Sequence, residues 1–186
     1  MNRCEWCDEH SYLYTQYHDD QWGVPQHKDQ KLFEMLVLEG FQAGLSWLTI
    51  LKKREAFQIA FDSFDPTIVS QYDQSKIEEL LQNKEIVRNH LKIYAAIQNA
   101  KVFLQIQQEF GSFAQYLWGY VNHTPIINQF KTLRDVPAST ELSDRISRDL
   151  KARGMKFVGS TIIYAYLQAV GVVNDHTSQC FKYPSK

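Results

Sequence analysis

Apolar residues along the chain recur three and four positions apart, and no segment alternates as a half-buried strand does, so the pattern predicts an all-α fold. Leu13, Tyr14 and Tyr17 share one face of a short helix over 11–18. Gly23 and Pro25, in the run Trp22-Gly-Val-Pro25, turn the chain. Helix resumes near Asp29, where Leu32, Phe33, Met35, Leu36 and Leu38 form a wide apolar face. Ser46 N-caps a further helix from Trp47 to about Ala60, supported by the spacing of Leu48, Leu51, Phe57 and Phe61. Asp65-Pro66 starts a short helix, and Ser75-Lys-Ile-Glu78 reads as a capping box for another that ends at Leu81. After a break, a long helix carries Leu91, Tyr94, Ile97 and Phe103 on one stripe. One more short helix covers 112–120, and Gln129 to Pro137 is a loop. Ser139 or Thr140 begins a helix that Gly154 stops. The last helix, Thr161 to Val170, is apolar nearly all round and should form a buried centre.

Two junctions depart from this pattern. Glu39 arrives where the helix before it calls for another core residue, and Gly40 and Gly44 follow, each costing a helix roughly 1 kcal/mol relative to alanine. The reading is helix, glycine-bearing connection, helix, with an acid and the Trp47 indole flanking the turn; the plain alternative is an exposed acid and a core tryptophan. At the second junction, Leu81 to Ile93, a tight turn at Asn83-Lys-Glu85 is followed by Arg88, His90 and Lys92. A helix-hairpin-helix unit of this kind sets backbone amides and cations against phosphates. Its turn lacks the usual glycines, so a helical hairpin with a solvated charged face is the alternative.

Composition narrows the class. With 186 residues, 44% hydrophobic and 13% aromatic, the chain can build the core of a single domain over 1–186, arranged as two intimate lobes. A net charge of −1 excludes nucleic-acid binding by bulk charge, so such a partner must meet a local patch. The N-terminus lacks the apolar run of a signal peptide and no segment approaches the ~18 residues of a membrane span, which predicts a cytoplasmic protein without a membrane partner. Three cysteines, an odd number, favour metal or thiolate chemistry over a disulfide framework. Cys4, Cys7 and His18 stand near one end; His176 and Cys180 stand near the other. Four such ligands would suit a closed, structural zinc site that also ties down two ends prone to fray. Spacing leaves two sets open, Cys4, Cys7, His176 and Cys180, or Cys4, His18, His176 and Cys180. A redox Cys-x-x-Cys would lack its usual strand to helix setting.

Longer strings carry a resemblance over essentially the whole chain. Arg3-Cys4, Tyr17-His-Asp-Asp-Gln-Trp-Gly-Val-Pro25, Leu32-Phe-Glu-Met35, Leu38-Glu-Gly40, Gln42-Ala-Gly-Leu-Ser-Trp47, and Arg153-Gly-Met-Lys-Phe-Val-Gly159 through Val173-Asn-Asp-His176 closely resemble the bacterial Tag family of DNA-3-methyladenine glycosylases. The resemblance implies a helix-hairpin-helix glycosylase fold, hydrolytic excision of 3-methyladenine from alkylated double-stranded DNA, and a zinc clasp joining the termini. It implies zinc ligands Cys4, His18, His176 and Cys180, with Cys7 a spare thiol. The implied base pocket comprises Glu39 with aromatic walls Trp6, Tyr14, Tyr17 and Trp47. Gln42, Gly44 and Leu45 then face the gap left by an extruded base, and Arg88 meets the DNA backbone. An ionised Glu39 accepts from the adenine edge and favours its positive charge. No lysine nucleophile is implied, so the reaction is simple hydrolysis, by an enzyme expected to be a monomer. The rivals are a noncatalytic binder of damaged DNA and a zinc-clasped protein-interaction module.

Overall fold

A computed structural model describes residues 2–184. Among them the chain is mainly helical. α1, Tyr12–Asp20, starts where Ser11 Oγ accepts from the Tyr14 amide. α2, Asp29–Gln42, is the central element: every residue from Leu32 to Phe41 is buried, and the helix packs on α3, Trp47–Ala60, on α6, His90–Phe110, on α7, Phe113–Gly119, and on α9, Ser160–Ala169. α4, Pro66–Val69, and α5, Gln74–Gln82, lie against α6, while α8, Glu141–Ala152, lies against α9. The buried apolar side chains form one connected core. No helix among the described residues is long and apolar enough to cross a membrane.

Several starts match their sequence signals residue for residue. Ser46 Oγ accepts from the Thr49 amide, Asp65 from Thr67, and Thr140 from Ser143. Four expectations need correction. Gly40 lies inside α2, not in a connection, and the turn is confined to 43–46, with Gly44 at φ +78°. Asp73, not Ser75, caps α5 by accepting from the Lys76 amide; an acid two residues earlier reaches the first free amides equally well. The expected stripe of α6 holds at Ile97 and Phe103, which are buried, but fails in the first turn: Leu91 is 68% exposed and Tyr94 is exposed, whereas Lys92, Ile93, Ala96 and Ala100 face inward. Lys92 is drawn in because its ammonium donates to Phe41 O (2.9 Å) and Ala43 O (2.5 Å), carbonyls that the end of α2 leaves unpaired. Finally, the chain is not purely helical. β1, Ile126–Ile127, pairs in parallel with β2, Val173–Asn174, a contact too short for any periodic signal.

The C-terminal tail is woven into the rest of the chain. Gly171, at φ +71°, ends α9 where a Cβ would sit 2.3 Å from the Val24 carbonyl carbon, so the tail can turn only because that position is bare. Ser178 N then donates to Phe130 O (2.9 Å) and Phe181 N to Asn2 O (2.9 Å), which brings the two ends side by side.

Candidate active site

A cavity of about 410 Å³ opens between the first residues, α1, the end of α2 and one face of α9. Trp6, Tyr14, Tyr17, Glu39, Gln42 and Trp47 all line it. The rings form a continuous aromatic wall: Trp6 meets Tyr14 at 5.8 Å and Tyr17 at 6.2 Å between centroids, and Tyr17 meets Trp47 at 5.3 Å. The buried indole N–H groups of Trp6 and Trp47 have no hydrogen-bond partner among the described residues. Such orphan donors are rare unless a ligand or water meets them.

Glu39 is 4% exposed and accepts no hydrogen bond from the described residues. Burial, with no compensating charge, pushes its carboxyl up to about 8. The group is therefore largely protonated at neutral pH in the open cavity. Tyr17 beside it is raised well above the ordinary phenol range, first by burial and then by the charge of Glu39. α2 holds the acid here because the helix runs unbroken through Gly40, where the nearest neighbour of an added Cβ would be Phe157 at 3.4 Å.

Of the residues expected on the DNA side, Gln42 reaches the cavity and the rest lie apart from it. Gln42 Nε2 donates to Leu45 O (2.9 Å) and closes the turn, but Gly44 and Leu45 are exposed and do not line the cavity. Arg88 is exposed on the α5–α6 link. Glycine is absent from that link because side chains build it: Asn83 Oδ1 accepts from the Glu85 amide (2.9 Å), and Lys53 of α3 donates to Glu85 O (3.0 Å). Lys92, grouped with Arg88 and His90 in the sequence, points inward, and its ammonium donates to the Phe41 and Ala43 carbonyls.

Sequence reasoning missed most of the lining. Leu133, Val136, Pro137 and Ala138 come from the segment read as a loop, and Thr161, Tyr164, Ala165 and Gln168 from the helix read as wholly buried. Asp175, 1% exposed, is a further buried carboxylate of the lining. It accepts from Asn128 Nδ2 (2.7 Å), Tyr164 Oη (2.5 Å) and Gln168 Nε2 (2.7 Å). Only the polar Thr161 and Gln168 in an otherwise apolar helix hinted at this face.

Next to the cavity, Cys4, His18, His176 and Cys180 are all buried with their ligand atoms within 4.8 Å of one another. Cys4 Sγ lies 3.4 Å from His176 Nδ1, and Cys180 Sγ lies 3.4 Å from both His176 Nδ1 and His18 Nε2. Zinc bonds of ~2.3 Å to sulfur and ~2.0 Å to nitrogen at a tetrahedral angle put S and N about 3.5 Å apart. The imidazole tautomers agree with this use. His18 Nδ1 faces Asp19 Oδ1 (2.8 Å) and His176 Nε2 faces Trp22 O (3.1 Å), both acceptors, so the bare nitrogens are the two that point inward. Burial lowers both histidines, His176 to about 4, keeping them neutral, and pushes the Cys4 thiol up to about 12. Arg3 holds Asp19 through two hydrogen bonds of 2.9 and 2.7 Å and brings its carboxyl down to about 2. The four residues could hold a metal ion. Cys7 is buried but outside the group, its thiol raised to about 11 by burial.

Comparison with known proteins agrees with this geometry. Residues 6–183 match the family described as methyladenine glycosylase. The chain is 48% identical over 184 residues to DNA-3-methyladenine glycosylase 1 of Escherichia coli (strain K12), spanning 99% of this chain and 98% of that protein. It is 44% identical over 178 residues to the DNA-3-methyladenine glycosylase of Haemophilus influenzae, spanning 96% of each. The solved structure of 3-methyladenine DNA glycosylase I (TAG) from Staphylococcus aureus, which concerns its recognition of 3-methyladenine, is similar with a TM-score of 0.95 at 37% identity, over 100% of this chain and 98% of that one. Since the likeness in sequence and in fold runs from one end of the chain to the other, the protein belongs to the methyladenine glycosylase family.

Proposed function

We propose that the protein is a monofunctional DNA glycosylase, one domain acting as a monomer in the cytoplasm, that hydrolyses the N-glycosidic bond of 3-methyladenine in alkylated double-stranded DNA. The observation that carries this reading is a buried acid with no hydrogen-bond partner among the described residues, set in an aromatic cavity of about 410 Å³. Methylation at N3 makes adenine a cation and a good leaving group, so the enzyme need only extrude, hold and stabilise it. Turning the nucleotide out of the duplex costs a few kcal/mol. Stacking on Trp47, Tyr17, Tyr14 and Trp6 offsets this at roughly 1–3 kcal/mol per base, and a cation gains more from the ring faces.

Glu39 is matched to that charge. A cation about 4 Å from the carboxylate is worth about 4 kcal/mol at an effective dielectric of 20, roughly a thousandfold in its ionisation equilibrium. The acid that is protonated in the open cavity thus ionises as the cationic base arrives, and a neutral purine earns no such response. Water then attacks the sugar carbon as the bond to the base breaks. Gln42, Gly44 and Leu45 at the adjoining turn serve the gap in the duplex, and Arg88 a flanking phosphate. The Cys4, His18, His176 and Cys180 group is assigned to a structural zinc, whose four protein ligands leave no position for a reacting water.

Single-turnover assays on methylated duplex DNA test the reading. The wild type should release 3-methyladenine and leave an uncut abasic strand. Glu39→Gln should bind the same DNA but release base about a hundredfold more slowly or worse. Tight binding without release by the wild type would point instead to a damage-binding protein.

A further inference from the structure

Asp175 decides the orientation of a neighbouring amide. A carboxylate only accepts, so the end of Gln168 that meets Asp175 Oδ2 at 2.7 Å is the NH2 group. Tyr164 Oη on the same oxygen and Asn128 Nδ2 on the other hold the carboxylate in place. Gln168 Oε1 is left without a hydrogen bond among the described residues, on a side chain that lines the cavity.

We propose that Gln168 is a specificity-determining residue of this site: its Oε1, turned away from Asp175, accepts from the 6-amino group of the extruded purine. The inference rests on the function proposed above. A 6-amino group carries two N–H donors, so an acceptor on α9 can be met together with Glu39 on α2. A 6-oxo purine presents a lone pair at the same place, and two acceptors then face each other where little water can intervene. Guanine methylated at N3 also carries a positive charge and a purine face for stacking, and it differs from 3-methyladenine by a 6-oxo group and an added 2-amino group. The rings therefore do not separate the two bases; the acceptors at the 6-position do, and the oriented Gln168 amide oxygen adds its rejection of a 6-oxo purine to that of Glu39. Sites built around one hydrogen bond reject the ligand that lacks it far more strongly than apolar sites reject a change of shape.

DNA methylated at N3 of both purines supplies the test, with released 3-methyladenine and 3-methylguanine measured separately. Gln168→Met keeps the length of the side chain but removes the acceptor. Asp175→Asn keeps the shape and lets the Gln168 amide turn over. Each should narrow the preference for 3-methyladenine over 3-methylguanine by about tenfold or more, a change in ratio that a general loss of folding does not produce. If the wild type is active and both variants keep its ratio, whatever their rates, the role of Gln168 is overturned while the proposed function stands. If the wild type releases neither base, the proposed function itself falls.

Discussion

Glu34 and Glu39 stand on the same helix, and both are buried, at 2% and 4% exposure. Glu34 accepts from Arg54 Nε, Lys31 Nζ and Gln58 Nε2, each at 2.8 Å, and although burial works against it, Arg54 and these hydrogen bonds hold its carboxyl below the ordinary range. Glu39 has no such company and is raised to about 8. The first acid is satisfied by the protein; the second waits for a charge from outside. A stability measurement separates them. Glu39 keeps its proton in the folded chain to about pH 8 but loses it near the ordinary value of 4.5 when unfolded. Between those limits the folded state binds more protons, so stability falls as pH rises. Denaturation of the wild type and Glu39→Gln should therefore show the variant gaining a few kcal/mol over the wild type between pH 4.5 and 8. Equal slopes would mean that Glu39 is already paired.

At the scale of elements, Arg54 joins three helices, reaching Glu34 on α2 and donating to Gln21 Oε1 (2.5 Å) at the end of α1. Removing it leaves the buried Glu34 carboxylate with only Lys31 and Gln58 as partners, so Arg54→Met should cost about 3 kcal/mol in urea unfolding. The caps allow a finer comparison. Asp73→Ala should destabilise by about 1 kcal/mol through loss of the α5 cap, whereas Ser75→Ala should stay within about 0.5 kcal/mol. The opposite order would restore the capping box read from the sequence. Most helix starts were legible because a cap is a contact between residues two or three apart. The facing of the first turn of α6 was not legible, because Lys92 answers carbonyls some fifty residues away and only the packed chain brings them within reach.

For the molecule as a whole, the ends of the chain build the centre of the site. Cys4 and Trp6 from one end and Asp175 and Thr177 from the other line the same cavity, alongside the four potential metal ligands. Loss of the proposed zinc should therefore free both ends and slacken the cavity wall. His18→Ala should purify without stoichiometric metal, melt at a lower temperature and bind free 3-methyladenine more weakly; Cys7→Ser should match the wild type in elemental analysis and melting. Metal lost with Cys7 and kept without His18 would return the site to the Cys-x-x-Cys alternative.

What the amino-acid sequence by itself determined was local: where helices begin and end, that Glu39 breaks an apolar face, and that cysteines and histidines gather at both termini. Such features depend on neighbours within one helical turn, or on residue type alone. Only the tertiary structure decided which face of α9 meets the cavity, that Asp175 orients Gln168, and that the 133–138 segment closes a wall. It also decided which of two buried glutamates stays unpaired. These outcomes depend on contacts between residues far apart in the chain, and only the packing of α2 against its neighbours selects them.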